Sequence, residues 1–269
     1  MRNERGNHSG DVSRALQRRG WPARAGASRE LSAAGWRQHL SYLVLLGAKA
    51  LSRAFFQVEV EWVGERVDDP WEDIRVVALL NHTSLYEWLF TAVPPNRFLR
   101  RLATRGVLPS ASKTMRRPLV GTFYQFLAGS VITVSRERDH TWQEVLASIG
   151  PESMVLLAPE GRMKRASGLD VEGRPMTIRG GIADILQVVG KGRMLLAYSG
   201  GLHHVQVPGQ RLPRLWKTIR LRLELVDIET YCRSFAEVPG SEEFKNATKV
   251  DLQRRRDLHC GTAGAPGRG

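Results

Sequence analysis

Residues 74–87 read IRVVALLNHTSLYE, and this stretch decides both the fold class and the place of a candidate site. Its first seven residues form an almost unbroken apolar run, which is typical of a strand buried on both faces. The run ends at Asn81-His82, and the segment Ser84-Leu85-Tyr86-Glu87, which can open a helix, follows directly. A buried strand that leads straight into a helix predicts an α/β layered domain.

His82 and Glu87 are the candidate reactive pair in this stretch. Imidazole is the side chain best suited to take a proton near neutral pH, and a carboxylate on its far nitrogen stabilises the imidazolium that forms. Along one continuous helix, five residues turn the side chain by about 140°, so the two groups would diverge. If the strand ends at Asn81 and a helix starts near Ser84, the pair can meet as a supported general base.

A purely structural interpretation of the same residues stays open. Ser84 and Glu87 have the spacing of a capping box, in which Ser84 bonds forward to a backbone amide and Glu87 reaches back. A single histidine is also often an ordinary polar group with a satisfied hydrogen bond. The segment alone does not choose between a helix cap and a general base.

Composition and charge limit the classes of protein. With 269 residues, 42% of them hydrophobic, the chain can bury a real core. Cys232 and Cys260 are the only cysteines and form no CxxC pattern, so we expect a reducing compartment, no metal site and no cofactor. The net charge of +13 favours an anionic membrane surface or a phosphorylated ligand. Because the sequence has no motif of a nucleic-acid recognition module, we expect no nucleic-acid partner.

The sequence predicts that the chain has three parts, namely an arm, a folded domain and a tail. Residues 1–34 are rich in Arg, Gly and Ser and are predicted to be a disordered basic arm, either a membrane contact or an inert leader. Residues 35–240 are predicted to form the folded domain. It opens with an amphipathic helix over 36–56 that is too short in its apolar run to span a bilayer, and is either an interfacial helix or an ordinary core helix. Residues 241–269 are predicted to be a flexible tail.

Strands and helices alternate through the predicted domain. This order predicts a central, largely parallel sheet flanked by helices, with the site at the carboxyl ends of its strands. His82, Arg136 and Glu160 each follow a predicted strand closely. Strands are predicted at 74–80, 97–104, 131–134, 154–158, 194–198 and 221–226, and helices at 84–92, 113–127, 141–149 and 182–189.

Three further segments complete a recognisable series. They read ATRGVL at 103–108, GSVITVSR at 129–136 and APEGRMKR at 158–165. Together with the Asn81-His82-x4-Glu87 pattern, and in this order, they resemble the glycerolipid acyltransferase family of the 1-acyl-sn-glycerol-3-phosphate acyltransferase type, over about residues 74–200. The resemblance implies an α/β domain with an N-terminal amphipathic membrane-docking helix, peripheral or monotopic at the cytoplasmic face of a membrane. It also implies transfer of a fatty acyl group from acyl-CoA or acyl-carrier protein to the hydroxyl of a lysophospholipid.

The chemistry of such a transfer gives each candidate residue a role. An acceptor hydroxyl needs a base as it attacks a thioester, and His82, supported by Glu87, would supply it. Phosphate on a substrate needs guanidinium partners, for which Arg136 and Arg162 are the first candidates and Arg105 a weaker one. Backbone amides around Gly161 are candidates for an oxyanion contact. Glu160 is expected to orient an arginine or the acceptor hydroxyl. The expected substrate-binding residues are thus Arg105, Arg136, Glu160, Gly161 and Arg162.

The sequence also departs from the family pattern, which leaves alternatives open. Glu87 replaces the usual aspartate, and Arg162-Met163-Lys164 replaces the more usual Thr-Arg-Ser after Pro-Glu-Gly. Ser130 stands where the resemblance expects glycine. The acceptor can therefore be another lyso-lipid, for example a lyso-aminolipid, and the chain can also be a lipid- or membrane-binding protein without turnover. Arg136 can instead be a helix cap or a member of a surface ion pair.

Overall fold

The computed structural model describes residues 27–65, 67–135, 140–207, 210 and 212–260, with side chains from residue 35 onward. Most of the predicted basic arm, Arg136 and the end of the predicted tail lie outside these residues. A compact unit begins at Arg37. In chain order the elements are α1 (Ala27–Phe55), β1 (Gln57–Val63), β2 (Ile74–Leu80), a 3₁₀ helix (Leu85–Ala92), α2 (Asn96–Arg105), β3 (Gly106–Ala111), α3 (Ser112–Met115), α4 (Pro118–Tyr124), β4 (Ser130–Val134), α5 (His140–Ala147), β5 (Met154–Leu157), α6 (Gly181–Val189), β6 (Arg193–Ser199), β7 (Thr218–Asp227), α7 (Ile228–Arg233) and α8 (Glu242–His259).

The strands form one seven-stranded sheet in the order β1-β7-β6-β2-β5-β3-β4. Strands β6, β2, β5, β3 and β4 run parallel, β7 is antiparallel to β6, and β1 is parallel to β7. Apolar side chains of β2 alternate between two hydrophobic clusters, with Val77 in one and Val76 and Ala78 in the other. The predicted α/β class, with a largely parallel sheet flanked by helices, is confirmed.

The prediction of a strand over 97–104 is wrong, because this segment is helix α2. Its buried residues are Phe98, Leu99, Leu102 and Ala103. They recur at the helical spacing of three to four residues, whereas a half-buried strand would bury every second residue. The strand that follows is β3. The segment ATRGVL at 103–108 therefore enters the sheet at Gly106, whereas the predicted strand began at residue 97.

The prediction of a flexible tail from residue 241 is wrong for residues 242–259, which form α8. Ser241 caps the helix by accepting a hydrogen bond from the Phe244 amide at 3.0 Å. Phe244, Thr248, Leu252 and Arg256 are all buried. Because they recur every four residues, they lie along one face of the helix. Charged residues on the remaining faces make the segment hydrophilic on average. The sequence therefore gives only a weak signal for this narrow buried face.

Helix α1 buries polar side chains as well as Leu45 against the domain and leaves other leucines exposed. The buried Lys49 ammonium donates to the Pro94 carbonyl at 2.7 Å, and the Ser52 hydroxyl donates to the Leu89 carbonyl at 2.7 Å. Leu43 and Leu51 are 62% and 52% exposed. The Lys49 and Ser52 side chains can be buried because the domain offers them carbonyl partners. No helix in the described part of the chain is long and apolar enough to cross a membrane.

Candidate active site

The site begins at a sharp turn after β2. Asn81 has φ of 63°, a left-handed conformation that asparagine tolerates better than most residues. Its side-chain amide donates to the Ser199 carbonyl at 2.9 Å, which ties this turn to the end of the neighbouring strand β6. The turn ends the strand at Leu80 and aims the chain of His82 and Thr83 across the carboxyl edge of the sheet. The observed strand therefore ends at the residue that the sequence predicted.

His82 and Glu87 meet across this turn. The His82 Nδ1 atom lies 2.5 Å from Glu87 Oε2, and the Thr83 amide donates to Glu87 Oε1 at 2.9 Å. Both oxygens of the buried carboxylate are thus engaged, and Nε2 is the imidazole nitrogen left for a substrate. Ser84 caps the 3₁₀ helix by accepting from the Tyr86 amide at 3.2 Å. Helix capping and the His82–Glu87 pair therefore coexist. The Glu87 carboxylate accepts from the Thr83 amide, whereas in the predicted capping box it would accept from the Ser84 amide.

The surroundings of His82 act on its pKa in opposite directions. Burial disfavours the imidazolium, but the negative charge and hydrogen bond of Glu87, together with the charge of Glu160, outweigh it and raise the pKa above the ordinary histidine value. Burial and the nearby Glu87 charge raise the pKa of Tyr124, so its hydroxyl keeps its proton. That hydroxyl donates to the Leu85 carbonyl at 2.8 Å and fixes the start of the 3₁₀ helix.

Glu160 reaches the same turn because β2 and β5 are parallel neighbours in the sheet. Its carboxylate accepts from the amides of Asn81 at 3.0 Å and His82 at 2.8 Å. It also accepts from the Arg256 guanidinium at 3.1 Å. Glu160 is almost completely buried, and both oxygens of its carboxylate accept hydrogen bonds from these donors. The structure therefore places Glu160 behind the histidine, where it orients two backbone amides and an arginine; of the two expected roles, orienting an arginine is the one observed.

Gly161 and Arg162 both line the cavity beside His82, but each is already engaged. Gly161 has φ of 63°, and its amide donates to the Ala158 carbonyl at 2.9 Å, so this N–H closes a turn. An oxyanion contact from the neighbouring backbone amides stays a prediction. A Cβ at this position would lie 3.1 Å from Arg179 Cδ. The Arg162 guanidinium is paired with the buried Asp170 carboxylate. Its buried Nε has no hydrogen-bond partner among the described residues.

Arg105 is not brought to this site. It ends α2, immediately before β3, and pairs with Glu152, which precedes β5. Both residues therefore lie at the amino ends of parallel strands, whereas His82 lies at the carboxyl end of β2. The prediction of a strand over 97–104 placed Arg105 after a strand, at the carboxyl ends. Because this segment is helix α2, Arg105 instead stands before strand β3.

A cavity of about 1510 Å³ opens beside His82 and Glu87. Much of its lining is apolar and comes from α1, β2 and α2, including Leu45, Ala48, Val77, Leu79 and Leu99. A second part of the lining is basic. It comes from the segment after β3, from the loop before α6 and from α8, and consists of Lys113, Arg117, Arg162, Arg165, Arg174, Arg179 and Lys249.

Six basic residues of this lining were not predicted as site residues: Lys113, Arg117, Arg165, Arg174, Arg179 and Lys249. Lys113 and Arg117 stand directly after β3, which the sequence analysis placed too early. A usable signal was Gly106-Val107-Leu108, a short apolar run that precedes them. Within the described ranges, no group of three His, Cys, Asp or Glu side chains is arranged to hold a metal ion.

The fold is similar to one found in a solved acyltransferase structure. The crystal structure of the 1-acyl-sn-glycerophosphate (LPA) acyltransferase, PlsC, from Thermotoga maritima matches with a TM-score of 0.54 and 16% sequence identity. The match covers 85% of this chain and 82% of that chain. No protein-family model matches the sequence, and no curated protein matches it significantly. At this identity the likeness shows a shared fold.

Proposed function

We propose that this protein is an O-acyltransferase that moves a fatty acyl group from acyl-CoA or acyl-carrier protein to the hydroxyl of a lysophospholipid such as 1-acylglycerol-3-phosphate. The observation that carries the proposal is the His82–Glu87 pair on a cavity whose lining is partly apolar and partly basic. A lysophospholipid and an acyl thioester each combine an apolar chain with anionic phosphate. The shared fold with a PlsC acyltransferase supports the same assignment.

In the proposed reaction His82 Nε2 takes the proton of the acceptor hydroxyl as its oxygen attacks the thioester carbonyl. The negative charge of Glu87 stabilises the imidazolium. The tetrahedral intermediate then collapses, the carbon–sulfur bond breaks, and the imidazolium returns its proton to the leaving thiolate. The products are the ester and the free thiol, and the histidine ends neutral, as it began. No covalent bond to the protein is needed.

The basic part of the lining is the proposed phosphate site. Lys113 and Arg117 are exposed side chains that border the cavity. Arg162 adds a buried Nε without a hydrogen-bond partner in the described chain. Guanidinium and ammonium groups are the usual protein partners of phosphate. Because Asp170 already neutralises part of the Arg162 charge, we assign the larger share of phosphate binding to Lys113 and Arg117.

The outward face of α1 is the proposed membrane contact. Leu43 and Leu51 are exposed there, and α1 also lines the cavity through Leu45 and Ala48. A lipid acceptor could then pass from the bilayer to the site along one helix. An exposed leucine that enters the acyl boundary gains the free energy of apolar burial, and the net positive charge of the protein adds attraction to anionic lipid. The protein would bind as a peripheral or monotopic protein, on the cytoplasmic face.

Vesicle sedimentation tests the membrane contact. Leu43→Asp should weaken binding to vesicles of phosphatidylcholine with phosphatidylglycerol by about tenfold or more, because a buried leucine contributes roughly 1.5–3 kcal/mol. Val188→Asp is the matched control, since Val188 is an exposed apolar residue on α6, in the helical layer that packs on the other hydrophobic cluster. Equal binding by both variants would refute the assignment of this face.

The activity itself is tested with purified protein, acyl-CoA or acyl-carrier-protein thioesters, and a panel of lyso-lipids, with the products identified by mass spectrometry. Wild type should form a diacyl product and release free thiol in equal amounts, and His82→Ala should not. The panel includes lysophosphatidate and a lyso-aminolipid, so the preferred product identifies the acceptor. Membrane binding with no turnover of any thioester would support the lipid-binding alternative and refute the enzyme.

A further inference from the structure

We infer that Arg256, on the C-terminal helix α8, is a positioning residue that holds the His82 turn in its active geometry through Glu160. The inference rests on the proposed function for its kinetic consequence, but its geometric part does not need that function. Arg256 lies 174 residues from His82 along the chain, in a segment whose sequence predicts a flexible tail. It is not among the residues that line the cavity, and its hydrogen bonds go to Glu160, Met176 and Asp257, so its effect would pass through another side chain.

The contacts form an unbroken series from the helix to the histidine. Arg256 Nη1 donates to Glu160 Oε1 at 3.1 Å and to the Met176 carbonyl at 3.0 Å. Glu160 in turn accepts from the backbone amides of Asn81 and His82. The backbone of the turn is thus held from behind by one buried carboxylate, whose charge is balanced by one buried guanidinium.

Burial makes this arrangement sensitive to the arginine. Glu160 is 2% exposed and Arg256 is 9% exposed. A buried carboxylate that loses its cationic partner is left with an uncompensated charge, which it can relieve by protonation or by moving toward water. Either change weakens the two bonds from Asn81 and His82. The left-handed conformation of Asn81 then loses one of the constraints that maintain it.

Helix α8 is fixed firmly enough to act as a support. Phe244 and Leu252 are fully buried, and Arg255 is paired with both Asp251 and Glu224. The Arg256 side chain is itself oriented by Asp257, which accepts from its Nε at 3.0 Å and its Nη2 at 2.9 Å. A guanidinium anchored in this way can transmit the position of the helix to Glu160.

Amide hydrogen exchange tests the geometric part without any substrate. In Arg256→Ala, the amides of Asn81 and His82 should exchange about tenfold faster or more, the size expected when a hydrogen bond to a charged acceptor weakens. Arg254→Ala is the matched control, because Arg254 is an exposed arginine on the same helix that pairs with Asp251. Unchanged exchange at both amides in Arg256→Ala would overturn the inference, whether or not the protein is an enzyme.

Steady-state kinetics test the catalytic part. Arg256→Ala should lower kcat by about ten- to a hundredfold with KM changed less than twofold, since a misplaced base affects the chemical step and not ground-state binding. Arg256→Lys, which keeps the positive charge, should recover part of kcat. In a Glu160→Gln background, Arg256→Ala should add little, because both changes break the same series of contacts.

The outcomes separate the two proposals. If wild type transfers no acyl group, the proposed function fails, and hydrogen exchange alone decides the role of Arg256. If wild type is active and Arg256→Ala keeps full kcat, the positioning role is refuted while the proposed function stands. A loss of kcat equal to that of Arg254→Ala, or a full additive loss in the Glu160→Gln background, would also refute it. Melting temperatures of all variants verify that each one is folded at the assay temperature.

Discussion

The two ends of the parallel sheet carry similar pairs of charged residues in very different surroundings. At the amino ends, Arg105 pairs with Glu152, and these side chains are 50% and 73% exposed. At the carboxyl ends, His82 pairs with a buried Glu87, and Glu160 pairs with a buried Arg256. The exposed pair has water as an alternative partner, whereas the buried carboxylates are held by backbone amides as well.

Burial and fixed partners determine which of these charges can support chemistry. An exposed ion pair contributes little to stability because solvent screens it and its side chains are mobile. A carboxylate fixed by two partners keeps one orientation and acts on its neighbours at short range. Here Glu87, held by Thr83, raises the pKa of His82 together with Glu160, and His82 and Glu87 both line the cavity.

Removing the histidine should give the largest effect. His82→Ala should lower kcat/KM for acyl transfer by roughly 10³-fold, within the range typical of a lost general base. Arg105→Ala, the control from the opposite end of the sheet, should keep activity within about twofold of wild type. Both are measured as release of free thiol in the presence of lysophosphatidate. Equal losses in the two variants would contradict the distinction between the two ends.

Neutralising the supporting carboxylate should give a smaller loss. Glu87→Gln keeps the size of the side chain but removes the charge that stabilises the imidazolium, so kcat should fall by roughly 10²-fold. The measurement is kcat at saturating donor and acceptor. Its control is Glu152→Gln, which makes the same chemical change at the amino ends and should leave kcat unaltered.

Removing the cavity charges should alter binding more than turnover. Lys113→Ala and Arg117→Ala should each raise KM for a phosphate-bearing acceptor by about tenfold, the size of one charge-assisted hydrogen bond. The KM for monoacylglycerol, which has no phosphate, should stay unchanged. Lys191→Ala provides a control, because Lys191 is an exposed lysine just before β6, at the amino ends of the strands. A uniform rise in KM for both acceptors would argue against phosphate recognition.

Stability at the amino ends should respond least of all. Arg105→Ala should change the free energy of unfolding by less than about 0.5 kcal/mol, because exposed ion pairs contribute little. Urea denaturation followed by circular dichroism measures this value. A loss of several kcal/mol would mean that the Arg105–Glu152 pair supports the fold and is not an ordinary surface contact.

The carboxyl end of β2 could be predicted from the sequence because all its determinants are local. The apolar run, the polar turn and the Glu87 spacing lie within residues 74–87, and the structure assembles them as their periodicities indicate. The identity of β3 was harder to predict, because Pro109 argues against a strand. The pairing of β3 with β5 involves only Gly106 and Val107, so the missing N–H of Pro109 costs no bond to β5.

Contacts between distant segments could not be predicted in the same way. Arg256 reaches Glu160 because Phe244, Thr248 and Leu252 bury the same face of α8, and no local pattern specifies the surface that this face meets. The orientation of α1 is a second example. Lys49 is buried because the Pro94 carbonyl and the Asn96 side chain accept its hydrogen bonds, and these partners lie more than forty residues away. Strand β1 was missed although Val58, Val60 and Trp62 alternate with charged residues.

The pH dependence of acyl transfer tests whether His82, with its pKa raised by Glu87, is the general base. If neutral His82 is the base, kcat/KM must rise with pH through the pKa of its imidazole. Because Glu87 helps raise that pKa, the wild-type midpoint should lie above the ordinary value of about 6.5, and Glu87→Gln should move it downward. A midpoint that is the same in wild type and Glu87→Gln, or a profile without an acidic limb, would contradict the account.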